Sequence, residues 1–141
     1  MQTDLSTILS DFELLDDWED RYRYIIDLGK SLDPFPEEAR IDENKVQGCV
    51  SQVWLSKSVD SGPDPIISYL GDSDAHIVRG LVALVLAIYS GQKASIIRAT
   101  NALDILKTLG LDQHLSPQRS NGLNAMVQRI RRDADAALSD G

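Results

Sequence analysis

The chain has 141 residues, of which 43% are hydrophobic and 26% are charged, and this composition excludes a disordered chain or a fibre. A net charge of −8 repels phosphate backbones and anionic lipid, so we expect neither nucleic-acid nor membrane binding. The single cysteine excludes an internal disulfide and a metal site built from cysteines alone. The length predicts one domain over residues 1–141.

The N-terminal stretch lacks the pattern of an export signal. Met1 to Asp11 contain two aspartates and no lysine or arginine. The longest strongly apolar run, Leu81 to Tyr89, covers nine residues, whereas a membrane span needs about twenty. We therefore expect a cytoplasmic protein, in which the thiol stays reduced.

Apolar residues at helical spacing predict two helices before Asp33. The first helix carries Leu5, Ile8, Leu9 and Phe12, and the second carries Leu15, Trp18, Tyr22, Ile25 and Ile26. Asp16 or Asp17 should cap the second helix, and Pro34 and Pro36 should end it. The stripe of Trp18, Tyr22 and Ile25 is assigned to the core.

The middle of the chain changes to short runs of β-branched and aromatic residues. Three antiparallel strands are predicted, at Val46, at Val50 to Leu55 and at Ile66 to Leu70. Gly48 should form a tight turn between the first two strands.

Helical patterns return in the second half. Ala75 to Tyr89 are almost entirely apolar, which predicts a buried central helix ended by Gly91. The predicted N-caps are Asp72, Ser73 and Asp74 for that helix, Asn101 for a helix over Ala102 to Leu109, and Ser116 for the last helix, whose first residue is Pro117. A short helix is predicted over Lys93 to Ala99, and Arg129, Arg131 and Arg132 of the last helix are expected to face solvent. The fold class is α+β: a small antiparallel three-stranded sheet packed against helices from both ends of the chain.

Cys49 is the one reactive candidate. It follows Gly48, whose backbone freedom permits a sharp turn, and the next strand would hold the thiol at a defined point. A cysteine hydrolase would also need a histidine, and neither His76 nor His114 stands in a local motif. One cysteine and two dispersed histidines give no metal-ligand spacing, so no metal site is expected.

Four blocks of sequence resemble the SufE family, the sulfur acceptors of cysteine desulfurases in iron–sulfur cluster assembly. The cysteine block is Val46-Gln47-Gly48-Cys49-Val50-Ser51-Gln52-Val53-Trp54. The other three run from Trp18 to Gly29, from Gly71 to Leu81 and from His114 to Met126. Lys57 to Pro65 and Gln92 to Leu109 match the family poorly. The resemblance implies a SufE fold, which is similar to that of the cluster scaffold IscU.

The resemblance also implies the chemistry. Cys49 would take a persulfide sulfur from a SufS-type desulfurase, stimulate that enzyme and deliver the sulfur to a downstream iron–sulfur scaffold complex. The chain itself would need no cofactor, since the pyridoxal phosphate belongs to the desulfurase, and it would be an accessory protein rather than a stand-alone enzyme. The residues expected to meet the partner are Gln47, Gly48, Val50, Ser51, Gln52 and Arg119. Arg119 would favour the thiolate of Cys49 or pair with a carboxylate of the partner.

Three alternatives remain at this point: an acceptor of the CsdE type serving another desulfurase, a cysteine-dependent hydrolase, and a purely structural interaction module. For the acceptor we expect a thiol that is largely buried in the free protein, because exposed reactive thiols are easily oxidised. Val46, Val50 and the helix Ile77 to Tyr89 are predicted to form its pocket, and Gly48 should let the loop turn outward on docking.

Overall fold

The structure is a computed structural model that describes residues 4–49 and 51–140. In these ranges it contains seven α-helices and a three-stranded antiparallel sheet, so the α+β class is confirmed. The helices are α1 (Leu5–Leu14), α2 (Trp18–Lys30), α3 (His76–Tyr89), α4 (Ala94–Ala99), α5 (Ala102–Thr108), α6 (Leu111–His114) and α7 (Pro117–Asp140). Two short 3-10 helices, Glu37–Ala39 and Asp42–Asn44, lie in the connection from α2 to the sheet.

Helix α3 lies at the centre, as its nearly continuous apolar sequence predicts. It packs against α2, α7 and the sheet. Glycines let α2 and α3 approach closely: a Cβ at Gly29 would lie 2.7 Å from the backbone nitrogen of Gly80, and a Cβ at Gly80 would overlap the carbonyl oxygen of Ile25. The contact between these helices is therefore made by backbone and fixed in shape.

The sheet has the order β1-β2-β3, with β1 (Val53–Val59), β2 (Ile66–Ser73) and β3 (Gln92–Lys93). β1 and β2 form an antiparallel hairpin in which Val53 pairs with Ser73 and Val59 with Ile67. β3 pairs with Ile66 and Ile67 at the opposite edge of β2.

One strand prediction is wrong, and one strand of the sheet was not predicted. Val46 does not begin a strand: Lys45 forms one isolated bridge with Trp54, and Gly48, at φ +93°, then turns the chain away from the sheet. The third strand is β3 instead, and the predicted helix at Lys93 begins one residue later, at Ala94. Val50, the predicted start of the second strand, lies outside the described residues, and β1 begins at Val53.

The capping assignment before α3 is also wrong. β2 continues through Asp72 and Ser73, Ala75 is the N-cap residue, and it makes no side-chain cap hydrogen bond. Asp72 is buried and pairs with two arginines, 2.5 Å from Arg40 Nη2 and 2.9 Å from Arg79 Nε. An aspartate that could cap a helix thus ties the connection after α2 to the sheet and to α3.

Other terminal signals are confirmed. Asp17 caps α2 by accepting a hydrogen bond from the backbone of Glu19, and Asn101 caps α5 in the same way. Ser116 accepts from the backbone of Arg119 at 3.3 Å, and Pro117 opens α7.

Candidate functional site

Cys49 lies in the loop that joins the 3-10 helix Asp42–Asn44 to β1. Its side chain is half-buried, and its Sγ lies 3.6 Å from the carbonyl oxygen of Gly122 in α7, to which the thiol donates a weak hydrogen bond. A Cβ at Gly122 would lie 3.5 Å from this sulfur, and one at Gly48 would lie 3.4 Å from Cβ of Ala125. The loop therefore rests on the first turns of α7.

A cavity of about 320 Å³ opens beside the sulfur, and we call it the thiol pocket. The loop, α3 and α7 all contribute to its lining: Cys49, Ser51, Val78, Leu81, Ser116, Gln118, Arg119, Gly122, Leu123 and Met126. The prediction that α3 forms one wall is confirmed by Val78 and Leu81. Val46 is buried but does not line the pocket, and α7 provides the opposite wall.

Burial raises the pKa of the Cys49 thiol above its ordinary value. A raised pKa means that little thiolate exists at neutral pH, and the thiolate is the form that oxidises and attacks sulfur. In this conformation the cysteine is protected rather than activated, although its burial is partial where the sequence predicted a largely buried side chain.

Arg119 lines the same pocket, in the first turn of α7. Its Nη1 donates a hydrogen bond of 2.6 Å to the hydroxyl of Tyr22 in α2, and its guanidinium carbon lies 5.8 Å from the centre of the Tyr22 ring. Sequence reasoning assigned Tyr22 to the core and missed this contact. A hydroxyl at one edge of an apolar helical stripe is the only signal that could have pointed to it.

Arg129 anchors the start of the cysteine loop. It was predicted to face solvent, but its side chain is half-buried. It donates hydrogen bonds to two backbone carbonyl oxygens, that of Glu43 at 2.7 Å and that of Lys45 at 3.4 Å. Asp133, one turn later, lies 3.7 Å from the same guanidinium and also accepts from the hydroxyl of Tyr69. Arg131 was also predicted to face solvent, but it donates a hydrogen bond to the carbonyl oxygen of Arg98. Arg132 is exposed, as predicted.

Asp74 anchors the end of the loop. Its carboxylate accepts a 3.1 Å hydrogen bond from the backbone nitrogen of Gln52. The backbone nitrogen of Asp74 in turn donates a 3.3 Å hydrogen bond to the carbonyl oxygen of Gln52. With Arg129 at one end and Asp74 at the other, the segment between Gln47 and Ser51 is the part of the loop that lies between two fixed points.

The predicted partner residues of the loop lie on both sides of the thiol. Gln47, Gly48 and Gln52 are exposed, Ser51 lines the thiol pocket, and Val50 lies outside the described residues. The first three are therefore accessible to another protein, and their role in docking stays a prediction.

Neither histidine reaches the thiol pocket. His76 is exposed at the start of α3, and His114 ends α6 with its ring stacked 3.7 Å above that of Trp18. Within residues 4–49 and 51–140, no three His, Cys, Asp or Glu side chains are grouped to hold a metal ion. Over the same ranges, none of the helices combines the length and the apolar character needed to cross a bilayer.

Comparison with known proteins gives consistent results. The family model named SufE, described as an Fe-S metabolism associated domain, matches residues 6–134. An uncharacterized SufE-like protein of Rhizobium meliloti strain 1021 is 56% identical over 137 residues, covering 96% of this chain and 98% of that protein. A second uncharacterized SufE-like protein, from Rhizobium etli, is 60% identical over 131 residues, covering 92% of this chain and 88% of that protein. The solution structure of a hypothetical protein from Thermus thermophilus has a similar fold, with a TM-score of 0.75 at 19% identity, covering 96% of each chain.

Proposed function

Because this chain belongs to the SufE family, we propose that it is a persulfide sulfur acceptor for a cysteine desulfurase, with Cys49 as the accepting residue. The observation that carries this proposal is the placement of the single cysteine: half-buried, in the lining of a cavity that Arg119 also lines. In a sulfur carrier one thiol is sufficient, because the sulfur is passed on and is not resolved into a disulfide.

The reaction is a thiol–persulfide exchange. The thiolate of Cys49 attacks the outer sulfur of a persulfide on the desulfurase, a new S–S bond forms on Cys49, and the original S–S bond breaks. The electron pair of the broken bond leaves with the cysteine of the desulfurase as its thiolate. No oxidant or reductant is consumed, since one persulfide replaces another.

Docking must change the loop before this reaction takes place. A half-buried sulfur that rests against Gly122 is only partly accessible to a sulfur on another protein. Arg129 and Asp74 fix the two ends of the loop, so the movement is confined to Gln47 through Ser51. Gly48, already at positive φ, makes such a rearrangement inexpensive.

Arg119 supplies the positive charge of the exchange. A guanidinium near the sulfur stabilises both the attacking thiolate of Cys49 and the persulfide anion that results. A carboxylate of the desulfurase is the second group that this arginine would pair with.

The remaining parts of the proposal concern its setting. The partner is a desulfurase of the SufS type, which supplies the pyridoxal phosphate, and the sulfur goes on to an iron–sulfur scaffold complex in the cytoplasm. The chain stimulates the desulfurase by removing its persulfide. An acceptor of the CsdE type would use the same residues with a different desulfurase, so the choice of enzyme in the assay distinguishes the two.

Intact mass spectrometry tests the proposal. The protein is incubated with free cysteine and a desulfurase, of the SufS type in one arm and of another type in a second arm. We expect the wild type to gain the mass of one sulfur atom only when desulfurase is present, and the gain to be larger with its own partner. The matched control, Cys49→Ser, should gain nothing, because a hydroxyl does not attack persulfide sulfur at neutral pH. A wild type that gains no mass with either enzyme would refute the acceptor function.

A further inference from the structure

The contact between Tyr22 and Arg119 joins two helices across one side of the thiol pocket. Tyr22 lies in α2 and Arg119 lies in the first turn of α7. Both helices pack against α3, which forms a wall of the pocket. The hydroxyl of Tyr22 accepts the 2.6 Å hydrogen bond, and the guanidinium also lies near the ring face. Arg119 is thereby held against α2.

The partner of Arg119 is uncharged. Arg21 also donates to neutral groups, the carbonyl oxygens of Leu15 and Phe12, whereas three other partly buried arginines have carboxylate partners. Arg40 and Arg79 both pair with Asp72, and Arg129 lies beside Asp133. Among the pocket-lining residues that the structure describes, Arg119 alone carries a charged side chain. Over residues 4–49 and 51–140 no carboxylate pairs with this arginine, so within that part of the chain its positive charge is held but not neutralised.

A neutral acceptor holds an arginine less strongly than an anion does. The bond from Arg119 to Tyr22 contains one ionised group, whereas a bond to an anion also gains the attraction between opposite charges. The thiol of Cys49 shares the pocket with Arg119 and becomes such an anion when it loses its proton or carries a persulfide. Exchange of the hydroxyl for the sulfur anion is therefore favourable once the loop and the pocket permit it.

We propose that Tyr22 is a positioning residue that holds Arg119 away from Cys49 in the free protein and releases it to the sulfur anion during transfer. The proposal rests on the proposed sulfur-acceptor function, since it concerns the arginine that serves the same thiol. It explains why a cation lines the pocket while the resting thiol stays protected. Tyr22 acts through Arg119 and does not itself touch the reacting sulfur.

The test measures the alkylation of Cys49 by iodoacetamide in the free protein, over a range of pH. Tyr22→Phe removes the hydroxyl and keeps the ring, so that Arg119 loses its hydrogen bond and turns to the sulfur. We expect alkylation near neutral pH to accelerate by about threefold to tenfold and the midpoint of the pH profile to move to lower pH, because a nearby cation favours the thiolate.

A double-mutant cycle separates this role from loosened packing. In an Arg119→Gln background, Tyr22→Phe should leave alkylation unchanged, and Arg119→Gln alone should change it by less than about twofold, because the arginine is held away from the sulfur at rest. Tyr24→Phe is the matched control, since it removes a hydroxyl from the same helix that donates to Asp11 instead, and it should have no effect.

Two results would overturn the proposal: an unchanged or slower rate in Tyr22→Phe, or an equal acceleration with and without Arg119. No desulfurase takes part, so these measurements are independent of the sulfur-transfer assay. If the cycle behaves as expected but the wild type gains no sulfur, the acceptor function fails and the Tyr22–Arg119 device stands. If sulfur is transferred but the cycle shows no coupling, only the role of Tyr22 is wrong.

Discussion

Helices α2 and α7 flank α3, yet they are held against it in different ways. On the α2 side, Gly29 and Gly80 bring two backbones together with no space left for a side chain. On the α7 side, the cysteine loop and the thiol pocket intervene near Arg119, and polar contacts from Arg129 hold the loop. A contact fixed by shape permits one arrangement, whereas hydrogen bonds can exchange partners. The α2 side is thus fixed by its shape, while the part of the α7 side around the cysteine loop, which we call the adaptable side, is held by hydrogen bonds that can exchange partners.

Gly80→Ala should have the largest effect on stability, because it breaks the rigid contact. The new Cβ would overlap the carbonyl oxygen of Ile25, so α2 and α3 must separate, and we expect the free energy of unfolding to fall by about 2 to 3 kcal/mol. Urea denaturation followed by circular dichroism measures this loss. Gly91→Ala is the control: its Cβ meets no atom within 4 Å, and only the strain of its positive φ, about 1 kcal/mol, should appear. Equal losses in the two variants would contradict a frame fixed by close packing.

Arg129→Gln should weaken the adaptable side by about 1 to 2 kcal/mol. The change removes charged hydrogen bonds to the carbonyls of Glu43 and Lys45 and leaves Asp133 without this cation. The same denaturation experiment measures it, and Arg132→Gln, an exposed arginine of the same helix, should differ from wild type by less than about 0.5 kcal/mol. If Arg129→Gln lowers the free energy of unfolding by as little as Arg132→Gln does, the loop does not depend on this anchor.

Asp74→Ala should have a more local effect, of about 1 kcal/mol or less. The backbone nitrogen of Gln52 loses its carboxylate acceptor, so its amide should exchange with solvent faster while the amides of α3 keep their protection. Hydrogen exchange read by NMR detects this difference. Asp74→Asn keeps an oxygen at the same position, so it should restore most of the protection of the Gln52 amide. If the Gln52 amide still exchanges slowly in Asp74→Ala, the carboxylate is not the anchor of the loop.

The smallest predicted effect concerns pH. Burial raises the pKa of Cys49 in the folded protein, so the folded state binds this proton more tightly than the unfolded state does. Its contribution to stability is present below the pKa of the unfolded chain and is lost as the pH rises through the folded pKa. Between neutral and alkaline pH, the free energy of unfolding should therefore fall more steeply in the wild type than in Cys49→Ser. Parallel curves would contradict the burial. Tyr24, Tyr69 and Tyr89, whose pKa values burial also raises, contribute equally to both proteins.

The sequence predicts those parts of the fold that depend on neighbours along the chain. The apolar run of α3, the cap at Asp17 and the turn at Gly48 follow from side chains within a few positions of each other. β3 was missed because Gln92 and Lys93 carry no strand pattern; they pair only because α3 delivers the chain to the open edge of β2. Tertiary geometry, and not local preference, makes that strand.

The candidate site divides in the same way. Cys49 is identified by being the only thiol and by the residues around it, and the family resemblance points to Arg119. Tyr22 and Arg129 could not be found, because their contacts join residues 97 and 86 positions apart. Asp74 was misassigned because an aspartate before a helix is usually a cap, and only the folded hairpin brings it to Gln52.

The stacking of Arg40 on Trp54 gives the protein a built-in optical signal. The guanidinium lies 4.9 Å from the indole of Trp54, a β1 residue close to the end of the loop that Asp74 fixes. The other tryptophan, Trp18, lies under the ring of His114. Indole emission depends on its immediate surroundings, so a Trp18→Phe variant would report on the end of the cysteine loop alone. Stopped-flow fluorescence of that variant would then test whether the end of the loop changes when a desulfurase docks, without any label attached to the cysteine.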